Sequence, residues 1–421
     1  METETTKRKT IWIITEYYYP NENTTSYLLG HIAEGLSALH NVNVITSTQG
    51  TDNEIKNSVK IFRTKNSAFD KNNLHLRIVK HIISGGFLFF KARKLIKRDD
   101  EVFVVTDPAT SILFLRLLKI FIPFKLTYLV HDLFPENLLI INATSKNNII
   151  YKCTLKLYNW ALKGADRIFV LGRDMSLILK NKLKDHCPPV FIIPNFADVN
   201  NIVPKPKETN VIIKNNNLEE KFVLLFTGTI GRLQGIKNLL ESMLLLKDEK
   251  NIHLLMIGDG AHKKLVKDFV SENELTNITL LKTMERKFSN DFLNAGDVGI
   301  VSLIHNCTGT AVPSKTYTYM AAGKPILAVM DKNAEISILT NETNIGWSID
   351  PDKPQLFAKK VREISTQKDA IKIKGENSRK VCCDCYSVNN AVLNFLSAIK
   401  TSVLYYSLAD LFAALTSEII I

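Results

Sequence analysis

The chain has 421 residues, 45% of them hydrophobic and 23% charged, which excludes pervasive disorder and outgrows one ordinary core. A formal net charge of +12 suggests anionic partners, either phosphorylated small molecules, a lipid surface or nucleic acid, and charge alone fits a solvated basic surface equally well. The six cysteines form no spaced framework and the first stretch, METETTKRKT, is polar, so a reducing cytoplasmic setting is expected rather than an exported disulfide scaffold.

In chain order, Ile11–Ile14 predicts a strand, the next segment a helix with Leu28, Ile32, Leu36 and Leu39 on one face, and 42–46 a second strand. This β-α-β unit requires a parallel sheet and a right-handed crossover. Further strands are predicted at 102–106, 126–130, 167–171 and 190–193, with helices at 109–119 and 149–163. The polar stretch VPKPKETNVIIKNNNLEEK, 203–221, predicts a linker. A second series follows, with strands at 222–226, 253–257, 278–281, 298–302 and 326–329. Its helices are predicted at 236–247, 261–271, 287–295, 314–322 and 353–366. The expected fold is α/β, two Rossmann-like domains with doubly wound parallel sheets, spanning 1–203 and 204–385. Residues 386–421 form a C-terminal helical segment expected to pack back on the N-terminal domain.

Two segments are candidates for membrane contact. The region 82–98, with the basic and apolar stretch 113–125, is too short and charged to span a bilayer, which takes about 20 residues. It fits either a surface-lying amphipathic helix, with Lys91, Arg93, Lys94 and Lys97 on anionic lipid, or a crossover helix with a basic solvent face. The apolar run Thr401–Thr416 is short for a span and is expected to pack as a helix.

Chemistry concentrates where predicted strands end. The loop from Gly228 through Thr229, Arg232 and Gln234 to Gly235 follows a strand and precedes a helix, where backbone N–H groups and a basic side chain can hold a diphosphate. It is neither a dinucleotide fingerprint nor a P-loop, and a plain tight turn also explains it. Gly258-Asp259 ends the next strand. The segment Thr308-Gly309-Thr310-Ala311-Val312-Pro313-Ser314-Lys315 opens a helix and, with Thr318, gathers hydroxyls and a lysine where an anion would sit. In the N-terminal half, His131-Asp132 follows strand 126–130 and suits proton handling, although a structural histidine beside a capping aspartate is the simpler reading. Glu16 and Tyr17 occupy the corresponding edge of the first strand. Cys382-Cys383-Asp384-Cys385 lacks zinc-site spacing and nearby histidines, so no metal is expected.

Taken together, TEYYYPNENTTSYLLGHIAEGLS, HDLFPENL, GADRIFVLG, IIPNF, GTIGRLQGIKNLL, IGDG, NAGDVGIVSL and TGTAVPSKTYTYMAAGKPIL resemble a known family over residues 11–386. The chain resembles the family-4 retaining glycosyltransferases of the two-domain GT-B class, in particular the L-fucosamine-transferase-like group of bacterial O-antigen, capsule and colanic acid assembly. The resemblance implies a nucleoside-diphosphate sugar on the C-terminal domain and an acceptor on the N-terminal one, with a cleft between them. The backbone at Gly228–Thr229, with Arg232 and Lys315, would hold the diphosphate, and Gln234 stands in the same loop. The loop 308–312, with Pro313 and Ser314 after it, would face the sugar and diphosphate; Gly258, Asp259 and 282–284 would border the base. His131, with Asp132, would lie by the transferred sugar, and Glu16, Tyr17 and Glu136 on the acceptor side. The wider family's Glu-x7-Glu pair is replaced by Thr310 and Thr318, and its diphosphate-loop Arg and Lys by Thr229 and Gln234. A threonine at the first of the two Glu positions is common in the close subgroup.

The resemblance implies transfer to a lipid-linked, polyprenyl-diphosphate saccharide at the cytoplasmic face of the inner membrane, with peripheral attachment to its anionic surface. No cofactor, metal or nucleic acid is expected, since the sequence shows no Asp-x-Asp placed to anchor a divalent ion against the diphosphate and no basic stretch interleaved with stacking aromatics. A non-catalytic sugar-nucleotide binder and a sugar-nucleotide 2-epimerase are the competing readings. A dehydrogenase is disfavoured because the first strand runs into Tyr17-Tyr18-Tyr19-Pro20 rather than a glycine fingerprint.

Overall fold

The computed structural model describes residues 8–65, 74–141 and 143–400. They divide into two compact units, one of Met1–Leu139, Thr144–Pro194 and Ala391 onward, the other of Asn195–Asn390 with the short stretch Ile140–Ala143.

The first unit is built on β1 (Thr10–Thr15), β2 (Asn41–Thr46), β3 (Glu54–Lys56), β4 (Val59–Arg63), β5 (Glu101–Val105), β6 (Lys125–Val130), β7 (Arg167–Val170) and β8 (Val190–Ile192). Their order is β3-β4-β2-β1-β5-β6-β7-β8, parallel except for the β3–β4 hairpin. That hairpin is absent from the sequence reading because its turn uses Asn57 and Ser58 at φ 47° and 63° in place of glycine, and β3 is short and polar. The helix Thr24–Ser37 starts on the Asn23 side chain, which accepts from Ser26 N–H, and buries Leu28, Ile32 and Leu36. Leu39 does not share that face: the helix ends before it and it is 50% exposed.

The last described helix, Val388–Lys400, serves this unit from Ala391 on. Phe395 lies with its ring centre 5.3 Å from that of Phe169 and 6.1 Å from that of Phe103. Arg167 donates to the carbonyls of Ala398 and Ile399 while pairing with Glu101, so the final carbonyls of the helix meet a cation.

The second unit carries β9 (Phe222–Thr229), β10 (Ile252–Asp259), β11 (Ile278–Leu281), β12 (Val298–Ser302), β13 (Ile326–Val329) and β14 (Gly346–Ile349), all parallel, in the order β11-β10-β9-β12-β13-β14. Leu224, Phe226, Leu254, Met256 and Ile300 fill its core with the helix residues Leu240 and Val361. The stretch 203–221 is not a linker. Asn210 caps the helix Val211–Asn215, Ile213 and Leu218 are buried, and Lys207 pairs with Asp297 at 2.7 Å. The side chains of Asn290 and Asn294 accept from Val203 and Lys205 N–H, so a polar segment is fastened by asparagines remote in sequence. The boundary accordingly falls at Pro194–Asn195, not at 203–204.

Cys382 is buried on the helix Lys368–Cys385, and no metal-holding group of three His, Cys, Asp or Glu occurs among the described residues. No described helix is long and apolar enough to cross a membrane. The run Thr401–Thr416 lies outside the described residues.

Candidate functional site

In the second unit the chain leaves β9 toward β10 and β11 on one side and returns to β12, β13 and β14 on the other. Adjacent β9 and β12 therefore form a topological switch point, and ligands of open α/β sheets bind at the carboxyl ends of such strands. The ends of β9 and β10, the loops after β9, β10, β11 and β12, and the helix Lys315–Ala321 that follows β12 hold every donor-side residue singled out in the sequence.

The geometry there is tight. β9 and β10 run longer than predicted, pairing Gly228 with Gly258 and Thr229 with Asp259. A Cβ on Gly258 would lie 1.9 Å from the Gly228 carbonyl oxygen, so only glycine lets the two strand ends approach. Gly228 itself is exposed at φ 95°, with open space where a Cβ would be. The following loop is pinned on three sides. Ile230 N–H donates to Asp259 O at 2.8 Å, Ser302 Oγ to Gln234 O at 2.7 Å, and Ile304 N–H to Leu233 O at 2.9 Å. Gly235 then begins the helix Ile236–Leu244. Arg232 is exposed and makes no ion pair among the described residues.

Lys315 opens the helix Lys315–Ala321 beside this loop. Its Nζ is out of contact with solvent, has no hydrogen-bond partner, and lies 3.5 Å from the centre of the Phe226 ring. Burial pushes its pKa down to about 7. A lone buried amine is unfavourable unless an anion compensates it. Tyr319, one turn on, reaches beneath the end of β9 and accepts from the backbone and side chain of Thr227.

The 306–314 segment is shaped by Asp331, which accepts from Asn306 N–H at 2.9 Å and Thr308 Oγ1 at 3.1 Å and meets His305 Nδ1 at 2.5 Å. Gly309 turns the loop at φ 70°. The Thr310 hydroxyl donates to Cys307 O and that of Thr318 to Lys315 O, so both are engaged within their own backbone. Val312 O accepts from Asn195 Nδ2 at 3.4 Å, Pro313 O accepts from Thr316, and Ser314 makes no side-chain cap. Asp259 is exposed and pairs with Lys263 at 2.7 Å, which holds its carboxyl below the usual range.

The first unit repeats the logic. Its switch point lies between β1 and β5, and Glu16 N–H donates to Asp107 O across it at 2.8 Å. His131 follows neighbouring β6, with its backbone N–H on Thr106 Oγ1 at 2.9 Å. Enclosure by the surrounding protein lowers its pKa to about 4, so the imidazole is neutral at pH 7. Asp132 sits beside it and Glu136 is paired with Lys182 at 2.6 Å. Glu16 is buried, with its carboxylate 2.5 Å from Lys80 Nζ; Lys80 also lies 3.4 Å from the Tyr17 hydroxyl. That leaves Glu16 an internal ion pair rather than an open acceptor ligand.

Of the basic residues on the helix Leu74–Leu95, Lys91 is engaged by Asp52 at 2.8 Å, while Arg93, Lys94 and, just beyond it, Lys97 are exposed. Lys80, Tyr319 and Asp331 escaped the sequence reading. Each acts on a partner at least 23 residues away, and no local spacing marks it. A cavity of about 490 Å³ lined by Pro204, Asp297, Lys324 and Arg379 lies where β12 and β13 begin, the opposite edge from this chemistry. The residues at the switch point of each unit, not that hollow, are the functional candidates.

The profile of the family "Glycosyl transferases group 1" matches residues 208–381, the segment that carries the Lys315 site. "Probable glycosyltransferase WbjE" of Pseudomonas aeruginosa is 35% identical over 358 residues, 84% of this chain and 89% of its own. WcaI of Escherichia coli strain K12, which carries a colanic acid biosynthesis glycosyl transferase name, is 21% identical over 208 residues, 48% of this chain and 50% of its own. Among solved structures, Alr3699/HepE of Anabaena in complex with UDP and glucose superposes with a TM-score of 0.69 at 13% identity, covering 93% of this chain and 99% of its own. The fold is that of the GT-B glycosyltransferases, and the chain belongs to the group 1 glycosyl transferases.

Proposed function

We propose that this enzyme is a family-4 retaining transferase that moves a hexose or N-acetylated amino sugar from a nucleoside-diphosphate sugar to a lipid-linked saccharide during assembly of a bacterial surface polysaccharide. The observation that carries the donor assignment is the buried Lys315 amine without a hydrogen-bond partner, set at the β9–β12 switch point. A diphosphate is the ligand that would return a proton and a partner to it. The exposed Arg232 guanidinium and the backbone at Gly228–Thr229 lie in the adjoining loop. The crystallised relative with UDP and glucose, and the colanic acid name of WcaI, support the donor class and the setting.

In this mechanism the bond from the anomeric carbon to the diphosphate oxygen breaks while the acceptor oxygen bonds the same face of that carbon. The acceptor proton passes to the departing diphosphate. Negative charge grows on the leaving group, where Lys315 and Arg232 stabilise it without a cofactor or metal. Neutral His131 serves as a hydrogen-bonding group beside the sugar, with Asp132 next to it. The acceptor is a polyprenyl-diphosphate saccharide, met peripherally at the cytoplasmic face of the membrane.

The test is release of nucleoside diphosphate from a panel of sugar nucleotides with lipid-linked acceptors, read beside equilibrium binding of the same nucleotides. A second reading, binding without turnover, draws on the engaged hydroxyls of Thr310 and Thr318, which replace carboxylates. Binding with no release under any pairing would select it.

A further inference from the structure

Three neighbouring helices of the first unit, Leu74–Leu95, Ser111–Phe121 and Ile149–Lys163, contain no aspartate or glutamate. The middle helix packs against both of the others. Each also turns large apolar side chains outward. Ser111–Phe121 buries Ile112, Leu115 and Leu118 but exposes Leu117, Ile120 and Phe121, the last 74% accessible. Ile149–Lys163 buries Tyr151, Tyr158 and Leu162 but exposes Ile149, Ile150, Leu157 and Trp160. Leu74–Leu95 exposes Ile82 and Phe90. The Arg116 guanidinium lies 5.5 Å from the centre of the Trp160 ring and so links the two shorter helices at the surface.

Such a concentration of outward apolar side chains is unfavourable in water unless something covers it. The helices themselves carry only basic charge: Lys91 and Lys119 are answered by Asp52 and Asp166, while Lys94, Lys152, Lys156 and Lys163 are exposed and make no ion pair among the described residues. Apolar side chains set among lysines, with acids excluded from all three helices, match the headgroup boundary of an anionic bilayer.

We propose that this three-helix face docks the enzyme onto anionic lipid, with Phe121, Ile120, Leu157 and Trp160 entering the headgroup boundary and Lys152, Lys156 and Lys163 lying against the phosphates. The inference moves the membrane contact expected of Lys91–Lys97 onto an apolar surface. It rests on the proposed lipid-linked acceptor only for its biological sense, not for its geometry.

Trp160 supplies the probe, because Trp12 is buried in β1 and Trp347 lies in the second unit. The full-length protein is titrated with phosphatidylglycerol vesicles and, separately, with phosphatidylcholine vesicles. The expected result is a blue shift and co-sedimentation with the anionic vesicles alone, the shift being lost in Trp160→Phe. Lys152→Glu with Lys156→Glu should weaken partitioning roughly 600-fold, since each cation near the surface contributes roughly a factor of five, and reversing a charge squares that factor at each of the two residues. Ile120→Ser with Phe121→Ser should weaken it comparably at any salt. These substitutions lie outside the donor loops, so nucleotide affinity is measured on the same samples. Retained nucleotide binding with no vesicle binding overturns the docking proposal alone. Three other results also overturn it: equal binding to both lipids, a Trp160 spectrum already blue-shifted and unmoved by vesicles, and a dimer that Ile120→Ser with Phe121→Ser dissociates. The second would mean that another part of the chain covers the face, and the third that a second copy does.

Discussion

The Tyr319 hydroxyl accepts the Thr227 backbone N–H at 2.7 Å, which ties the helix bearing Lys315 to the end of β9. The same oxygen accepts from Thr227 Oγ1 at 3.1 Å and donates to Leu225 O at 3.2 Å, all in buried surroundings. The loop after β9 and the amine of Lys315 are therefore positioned by one phenol. Tyr319→Phe keeps the ring against Gly299 but leaves a buried N–H unpaired, a loss of about 1–3 kcal/mol. Thermal unfolding should show that loss, and donor affinity should fall with it. An unchanged melting temperature together with unchanged donor affinity would mean that the phenol positions nothing.

Lys315 gives a pH signature. Its folded pKa of about 7 lies below the ordinary lysine value of 10.5, so between those values the unfolded chain binds the extra proton. The ligand-free fold consequently gains stability as pH rises through that window. Nucleoside diphosphate binding at pH 8 should take up close to one proton, read by calorimetry in buffers of different ionisation enthalpy. Lys315→Met should remove the uptake and weaken binding about 10- to 100-fold, with no loss of ligand-free stability.

His131 acts in the same direction over a lower window. With a folded pKa of about 4 against 6.5, it stays neutral while the unfolded histidine protonates, so the fold loses stability as pH falls from about 6.5 to 4. His131→Asn should flatten that loss. His131→Ala should lower kcat about 100-fold or more while donor affinity holds. A fall in affinity matching the fall in kcat would place this side chain in donor binding instead.

Two glycines separate close approach from backbone strain. Gly258→Ala drives a methyl into the Gly228 carbonyl at 1.9 Å and should disrupt the β9–β10 ends, with a large drop in melting temperature. Gly228→Ala meets no atom but holds an L-residue at φ 95°, and should lose only about 1–3 kcal/mol.

Glu16 and Lys80 test whether the edge of β1 is structural. Lys80→Met strands a buried carboxylate and should destabilise the protein by about 3–5 kcal/mol. Adding Glu16→Gln should restore most of it. If Glu16→Gln alone abolishes transfer while stability holds, Glu16 touches substrate after all.

The runs that became β1, β5, β6, β9, β10 and β12 were legible because strands buried on both faces must be continuously apolar. The switch-point loops were legible because glycines and hydroxyls cluster directly after those runs. Other features were hidden for a common reason. The β3–β4 hairpin turns on Asn57 and Ser58, the supposed linker is fastened by Asn290 and Asn294, and Glu16 is answered by Lys80. In each case the deciding partner is distant in sequence or of a residue type that carries no local signal.

The helix that returns at Ala391 makes the first unit discontinuous. Phe395 and the carbonyls that Arg167 holds belong to chain synthesised after the second unit, whereas the second unit is nearly contiguous. During translation the second unit can mature while the first still waits for its closing piece. A first half expressed alone should bare the rings of Phe103 and Phe169 and aggregate, and supplying residues 386–421 through a short tether should rescue it.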